Sequence, residues 1–175
     1  MRKLKMDEMG RKTIEEFKAA KKHPFVVVLD DIRSMNNVGA VFRNCDGFGV
    51  EKLYLCGYTP QPPHREITKS AIGAEEAMDW EHAPDVVELL LKLKADGYKI
   101  ACIEQIDKSI PLQEFKTKPD EKWAIVLGNE VLGVADAAIA LSDVALEIPQ
   151  FGTKHSFNIS VAAGITLYAL VLGQG

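Results

Sequence analysis

The sequence predicts an α/β fold, with a mostly parallel sheet of five or six strands and helices on both faces. Segments such as FVVVLD (25–30) and WAIVLG (123–128) are apolar at consecutive positions, which is typical of strands buried on both sides. Segments with a helical spacing of apolar residues alternate with these strands along the chain. With 175 residues the chain is long enough to bury a sizeable core, so we expect one main domain.

The other strands are predicted from the same kind of apolar run. They are KLYLCG (52–57), KIACIE (99–104) and VALEIP (144–149). The stretch YTPQPPHREITKS (58–70) is rich in proline and polar turn residues and is predicted to be a loop.

Three main helices are predicted between and after the strands. The first follows 25–30, where Val38, Val41, Phe42 and Cys45 are spaced at i, i+3, i+4 and i+7. The other two are PDVVELLLKLKADG (84–97), which ends at a glycine, and an apolar helix over 156–172.

Residues 1–22 are predicted to be a basic helical extension of the domain formed by 23–175. This segment holds eight Lys or Arg residues against four acidic ones, whereas the whole chain carries a net charge of −4. An acidic body argues against general coating of nucleic acid, but a basic helix can still supply a local patch for RNA phosphates. The alternative is a solvated amphipathic helix that packs through Ile14 and Phe17.

The sequence predicts a cytoplasmic protein that binds no membrane. The N-terminal segment lacks the apolar stretch of a secretory signal, and no apolar run reaches about 18 residues. Cys45, Cys56 and Cys102 are isolated within apolar segments, and we expect them to be buried and reduced.

Several common site motifs are missing. The chain has no G-x-G-x-x-G after its first strand, no P-loop motif and no G-x-S-x-G. Its four histidines are scattered and its cysteines form no close pair, so we predict no metal site. These observations argue against a dinucleotide enzyme, a P-loop NTPase and the commonest serine hydrolases.

Polar, glycine-bearing segments follow three of the predicted strands, where ligands bind in open parallel sheets. They are NNVGAVFRNCDGFGV (36–50), IVLGNEVLGV (125–134) and IPQFGTKHSFNISVAAGI (148–165). In this order they resemble the three motifs of the SpoU/TrmH family of RNA ribose 2′-O-methyltransferases, within the SPOUT superfamily. The resemblance extends over residues 25–172.

The resemblance implies an enzyme that transfers a methyl group from S-adenosylmethionine to a ribose 2′-hydroxyl of RNA, without a metal. It also implies a C-terminal deep trefoil knot and a homodimer. We expect tRNA to be the substrate in preference to rRNA, because short members without an added RNA-binding domain suit a compact RNA. The positions that would bind the methyl donor are Leu127, Gly128, Ile148 and Phe157.

Five polar residues match the catalytic positions of the family. They are Asn37, Arg43, Glu130, Ser156 and Asn158. Simpler explanations exist for most of them, since Ser and Asn cap helices and a loop glutamate is usually solvated. Ile148 and Phe157 are likewise residue types that fill a core.

Arg43 is expected to meet an anion, because its stripe of the helix carries only the small residues Gly39, Ala40 and Gly47. We expect these residues to leave a hollow for a phosphate. In the family this arginine activates the ribose hydroxyl from the subunit opposite the donor. A permanently charged guanidinium suits a bidentate grip on phosphate and stabilisation of the 2′-alkoxide better than it suits a base.

Two positions depart from the family pattern, namely Phe157 in place of a usual leucine and Val131 in place of a frequent glycine after G-N-E. His64, Arg65 and Lys69 are candidate RNA contacts or, alternatively, parts of a solvated loop. The alternatives to a tRNA enzyme are an rRNA 2′-O-methyltransferase, a base methyltransferase and a non-catalytic RNA-binding or assembly factor with the same fold.

Overall fold

A computed structural model of the chain describes residues 1–173, and in this range one sheet of seven parallel strands forms the centre of the fold. The strands are β1 (His23–Asp30), β2 (Val50–Cys56), β3 (Trp80–Ala83), β4 (Lys99–Ile103), β5 (Ile110–Pro111), β6 (Trp123–Leu127) and β7 (Val144–Glu147). Their order across the sheet is β3-β2-β1-β6-β4-β7-β5, and every neighbouring pair is parallel.

The five predicted strands are confirmed, but the expected total of five or six is too low. The two additional strands, β3 and β5, occupy the two edges of the sheet and have only four and two residues. An edge strand this short needs no continuous apolar run, so the pattern that identifies a buried strand is absent.

Seven helices connect the strands within the described residues. They are α1 (Ile14–Ala19), α2 (Met35–Gly47), α3 (Arg65–Ala71), α4 (Ala74–Ala77), α5 (Val86–Ala95), α6 (Asp136–Leu141) and α7 (Ile159–Leu172). Two 3₁₀ turns lie at Met6–Met9 and Leu112–Glu114.

Helices cover both faces of the sheet, as predicted. Val27 and Leu29 of β1 point into a core shared with α2 and α7. Val26 and Val28 point the other way, into a core shared with α5 and α6. The strand is therefore apolar at successive positions because each face meets its own layer of helices.

Residues 1–22 contain a short 3₁₀ turn and the six-residue helix α1. Gly10, with a φ of +58°, separates the 3₁₀ turn from α1, which begins after the Thr13 cap. Thr13 Oγ1 accepts the Glu16 N–H across 3.2 Å, and Glu16 accepts the Thr13 N–H across 2.8 Å. Phe17 packs against the core as expected, whereas Ile14 is exposed.

The predicted loop over 58–70 is wrong in its second half, which forms α3. His64 begins this helix by accepting the Glu66 N–H at its Nδ1, 3.2 Å away. Only Ile67 and Ala71 are buried along the helix, too few residues to reveal a helical period. The last helix begins at Ile159, three residues later than predicted.

Cys45, Cys56 and Cys102 are buried and unpaired, as predicted. Burial raises the pKa of each thiol, which keeps it protonated. Within residues 1–173, no helix combines the length and the apolar character needed to cross a bilayer.

Candidate active site

The carboxyl ends of β4, β6 and β7 open into a cleft of about 780 Å³. Its walls come mainly from the ends of these strands and the segments that follow them, 103–106, 127–134, 146–148 and 155–159. All four predicted donor-binding residues and three of the predicted catalytic residues line it, namely Leu127, Gly128, Ile148 and Phe157 with Glu130, Ser156 and Asn158. The structure therefore brings together residues from two of the three motifs in one cavity.

Asn129 shapes the loop that follows β6. Its Oδ1 accepts the Val131 and Leu132 N–H groups across 2.9 and 3.1 Å, and its Nδ2 donates to the Asp31 carbonyl across 2.7 Å. Val131 is 73% exposed and does not have a positive φ, whereas Gly133 has a φ of +73°. The turn therefore needs a glycine at 133 and tolerates valine at 131.

Gly128 is required by the path of the chain itself. A Cβ at this position would lie 2.3 Å from the carbonyl carbon and oxygen of Gly133 and from the Val134 nitrogen. A glycine is therefore needed at position 128 to make room for residues 133–134, apart from any contact with the donor.

Glu104 is a cleft residue that the motif analysis missed. Its Oε2 accepts the Val134 N–H across 2.9 Å, which fixes the far end of the same loop. The available signal was an acidic residue at the end of the predicted strand 99–104.

Glu130 is an exposed loop residue, but its carboxylate is held by hydrogen bonds. Its carboxylate accepts the backbone N–H of Arg33 across 3.0 Å and of Ser34 across 3.2 Å, just before α2. Asn37 Nδ2 donates to the same carboxylate across 3.1 Å. Burial raises the pKa of Glu130, but these hydrogen bonds outweigh it and the net pKa is lowered, so the group is an anion at the start of α2.

Asn37 also connects to the third motif. Asn158 Nδ2 donates to Asn37 Oδ1 across 3.0 Å, while Asn158 Oδ1 accepts the Ser160 N–H across 2.9 Å. Asn158 therefore caps α7, as the simpler explanation predicts, and also takes part in the polar cluster. The Glu130–Asn37–Asn158 cluster joins all three motifs, although Asn37 itself does not line the cleft.

The segment after β7 forms the outer wall of the cleft. Gln105 and Gln150 each donate a side-chain N–H to the His155 carbonyl, across 3.3 and 3.1 Å. Phe157 is 42% exposed and so is not a core residue, whereas Ile148 both packs against the core and lines the cleft. Ser156 is exposed and precedes α7, so it does not cap that helix.

Gly39 does not contribute to the hollow expected beside Arg43. Gly39 is buried against α3, where a Cβ would lie 2.1 Å from Ser70 Oγ and 2.3 Å from the Ile67 carbonyl oxygen. The small residue thus allows two helices to pack closely. Arg43 is exposed, and its side chain makes no hydrogen bond or ion pair with any residue in the described part of the chain. It does not line the cleft of its own chain.

His64, Arg65 and Lys69 are all exposed and lie at the start and along one side of α3. No group of three or more His, Cys, Asp or Glu residues within 1–173 is arranged to hold a metal ion.

Comparison with known proteins yields one family. A family model described as "SpoU rRNA Methylase family" matches residues 24–168. The chain is 30% identical over 163 residues to a tRNA (guanosine(18)-2′-O)-methyltransferase of Aquifex aeolicus, covering 92% of this chain and 75% of that protein. It is 29% identical over 162 residues to the protein of the same description from Thermus thermophilus, covering 92% and 81%.

Solved structures give the same result. The crystal structure of the A. aeolicus TrmH/SpoU tRNA modifying enzyme matches with a TM-score of 0.81 and 26% identity, covering 91% of this chain and 80% of that chain. An AdoMet-bound rRNA methyltransferase from Sinorhizobium meliloti matches with a TM-score of 0.78 and 23% identity, covering 87% and 58%, and shares the fold.

Proposed function

Because this chain belongs to the SpoU methylase family, we propose that it transfers a methyl group from S-adenosylmethionine to a ribose 2′-hydroxyl of tRNA. The observation that carries the proposal is the Glu130–Asn37–Asn158 cluster, which ties the three family motifs together beside a cleft of ligand size. The relatives described as tRNA 2′-O-methyltransferases support tRNA as the substrate.

The cleft suits the proposed methyl donor in size and chemistry. A volume of about 780 Å³ is in the range of cofactor pockets. Ile148 and Phe157 offer apolar surface to an adenine ring, and the backbone at Leu127 and Gly128 offers hydrogen-bonding groups to its edge. S-adenosylmethionine supplies a methyl group on a positively charged sulfur, and the acidic residue Glu104 suits that charge.

Aligning the ribose oxygen with the methyl group is the main task of the protein, because such positioning accounts for about 7–11 kcal/mol of a barrier. Arg43 would hold the phosphate of the target nucleotide with two parallel hydrogen bonds and stabilise the negative charge that develops on the 2′-oxygen. Ser156 is exposed at the rim of the cleft, where its hydroxyl can contact the incoming ribose.

Arg43 would act in the cleft of a second copy, so the working unit is a homodimer. Arg43 is exposed and does not line its own cleft. Val161, Tyr168 and Leu172 of α7 are exposed apolar residues, the kind of surface that a partner subunit covers. Helix α2, which carries Arg43, packs beside α7, where Asn44 Nδ2 donates to the Ser160 carbonyl across 2.7 Å.

The proposal includes the C-terminal knot and a cytoplasmic location. Strand β7 lies between β4 and β5, which are consecutive in sequence, so the connection between those two strands passes the later one. The 3₁₀ turn after β5 packs against α7, which supports threading of the C-terminal segment beneath this connection. Three buried thiols suit a reducing compartment.

Transfer of tritiated methyl from S-adenosylmethionine to unmodified tRNA and rRNA transcripts tests the function. We expect label in tRNA that survives alkaline hydrolysis within a dinucleotide, because a 2′-O-methyl group blocks cleavage of the adjacent phosphodiester. Label in rRNA alone would reassign the substrate, and label released in mononucleotides would indicate base methylation. No label in either RNA would favour a non-catalytic RNA-binding factor.

Light scattering tests the dimer. Val161→Asp should give a monomer without methyl transfer, whereas Leu91→Asp on the exposed side of α5 should leave both the mass and the transfer rate unchanged. A wild-type monomer with full activity would contradict the role of Arg43 in a second copy.

A further inference from the structure

The loop after β2 presents an aromatic ring to solvent. Tyr58 is 94% exposed, and it lies at the carboxyl edge of the sheet, on the side of β2 rather than over the cleft. Single exposed aromatic residues are common on protein surfaces, so exposure alone assigns no role. The backbone beneath the ring distinguishes this tyrosine.

That backbone is held firmly by the ends of neighbouring strands. The Tyr58 N–H donates to Asp31 Oδ1 across 2.8 Å. Thr59 is buried, and its hydroxyl donates to the Leu29 carbonyl across 3.1 Å while accepting the Ile32 N–H across 3.0 Å. Such a loop loses little further backbone freedom when a ligand contacts the ring, which favours binding.

An exposed arginine and this tyrosine are each one residue away from the same buried hydrogen bond. Arg33 follows Ile32 and Tyr58 precedes Thr59, so the two exposed side chains flank the buried hydrogen bond between Ile32 and Thr59. The backbone N–H of Arg33 donates to Glu130. The polar cluster therefore fixes the backbone of Arg33 and leaves its guanidinium unused. Arg33 therefore connects the Tyr58 loop to the Glu130–Asn37–Asn158 cluster.

The surrounding charges separate the roles of the two side chains. Asp30, Asp31 and Asp85 lie close enough to one another to interact electrostatically, and Asp31 contacts the Tyr58 backbone directly. These carboxylates disfavour a phosphate on the tyrosine side. The face of a nucleobase carries no charge, so it can stack there, while Arg33 is free to meet a phosphate.

We propose that Tyr58 stacks on an unpaired base of the RNA substrate and that Arg33 binds a phosphate next to that base. This inference rests on the proposed function for its partner, an RNA with single-stranded nucleotides near the methylated ribose. It adds a contact outside the three motifs, on the side of the sheet away from the donor cleft.

We call Tyr58 and Arg33 together the platform. Fluorescence anisotropy with a labelled, unmodified tRNA transcript tests it in the intact chain. Loss of one base stack weakens nucleic-acid binding by about fivefold to a hundredfold. We expect Tyr58→Leu to raise the Kd within that range, and Tyr58→Phe, which keeps the ring, to stay within about twofold of wild type. A labelled 12-nucleotide adenosine strand should show the same order, whereas a 12-base-pair RNA duplex should not distinguish the variants.

Arg33→Gln keeps the backbone bond to Glu130 and removes only the charge. It should weaken binding and lower the slope of log Kd against log salt by about one. The matched control is Lys92→Gln on the exposed side of α5, which should change neither quantity. Equal Kd values for wild type and Tyr58→Leu would overturn the stacking role, and a changed oligomeric mass for Tyr58→Leu would assign the ring to a protein interface instead.

Two further readouts separate this inference from the proposed function. Calorimetric titration with S-adenosylmethionine should give wild-type affinity for the Tyr58 and Arg33 variants, because neither residue lines the cleft. If wild type methylates tRNA while Tyr58→Leu binds it normally, the platform fails and the proposed function stands. If wild type binds tRNA without methylating it, the proposed function fails and the Tyr58 comparison still decides the platform.

Discussion

Asn37 donates its side-chain N–H to Glu130 across 3.1 Å, joining the first turn of α2 to the loop after β6. The same amide accepts a hydrogen bond from Asn158, at the start of α7. Three segments far apart in sequence thus meet at one asparagine, and none of them can be placed independently of the other two. This explains why the polar types at these positions matter even though Asn37 lies outside the cleft.

Glu130→Gln should lower both stability and methyl transfer. The Arg33 and Ser34 N–H groups bond to different oxygens of the carboxylate, so replacing one oxygen with an amide NH₂ leaves one of these donors facing another donor. The remaining hydrogen bond loses its charged acceptor. We expect the free energy of unfolding to fall by about 1 kcal/mol, since the site is partly solvated. Urea titration measures this effect, and Glu76→Gln on α4, which is exposed, should remain at the wild-type value.

The effect of Glu130→Gln should depend on pH. The lowered pKa of Glu130 means that its contribution is complete above its ordinary value of 4.5 and is lost as pH falls through the lowered value. The difference in the free energy of unfolding between Glu130→Gln and wild type should therefore become smaller below about pH 4. A gap that is constant from pH 3 to pH 7 would contradict the hydrogen-bonded anion.

Arg43→Ala should reduce methyl transfer by more than tenfold without weakening the fold. The side chain is exposed and unbonded within the described residues, so the free energy of unfolding should stay within about 0.5 kcal/mol of wild type. Donor affinity measured by calorimetry should also be unchanged. Arg43→Lys keeps the charge but not the two-pronged geometry, and an active lysine variant would argue against a bidentate grip.

Gly128→Ala should disturb the donor cleft. The new methyl group would lie 2.3 Å from backbone atoms of Gly133 and Val134, so the loop must shift. We expect a loss of about 1–3 kcal/mol in stability together with weaker S-adenosylmethionine binding. Gly152→Ala is the matched control in the loop after β7, because a Cβ there meets nothing within 4 Å. If the two variants behaved alike in thermal unfolding and calorimetry, the close approach of Gly128 to Gly133 and Val134 would be refuted.

Gly39→Ala should separate α2 from α3. Its Cβ would lie 2.3 Å from the Ile67 carbonyl oxygen, a backbone atom that cannot rotate away. A loss of about 1–3 kcal/mol in the free energy of unfolding is expected. Gly47→Ala, at the end of the same helix, meets nothing within 4 Å and should be neutral or slightly stabilising. Denaturant titration of both variants would expose an error if Gly39→Ala proved as stable as Gly47→Ala.

Asp30→Asn should stabilise the protein at neutral pH. Burial, followed by the charges of Asp31 and Asp85, raises the pKa of Asp30 from 3.8 to about 6. A raised carboxyl pKa means that ionisation opposes folding, so stability is lost as pH rises from about 4 through 6. The variant should gain up to about 3 kcal/mol over wild type at pH 8, with solvent screening reducing this figure, and almost nothing at pH 4. Urea titrations at both values measure it, with the exposed Asp107→Asn as the control that should show no gain.

The centre of the fold was predictable because each central strand is long and apolar on both faces. FVVVLD and WAIVLG pair in the middle of the sheet, where the pattern is strongest. The edge strands β3 and β5 and the short helices α3 and α4 leave too few buried positions to form a detectable period. Their structure depends on contacts with segments distant in sequence.

The residues of the candidate site could be identified from the sequence, but the structural role of several of them could not. The motif positions around the cleft were identified from the sequence, but the partners of Gly39 and Gly128 are Ser70 and Gly133, on other parts of the chain. The expectation that Gly39 opens a hollow beside Arg43 was wrong for this reason, since small residues on a helix face serve a neighbouring helix equally well. Glu104 was missed because its role depends on a backbone N–H thirty residues away.

The bond from Asn158 to Asn37 has a consequence for ligand affinities. A ligand that displaces the segment before α7 also changes the free energy of the first turn of α2, the helix that carries Arg43. Thermodynamic linkage makes such an influence mutual, so whatever the first ligand does to the affinity of the second, the second does equally to the first. An asparagine amide that connects two segments therefore couples the binding affinities of the two ligands.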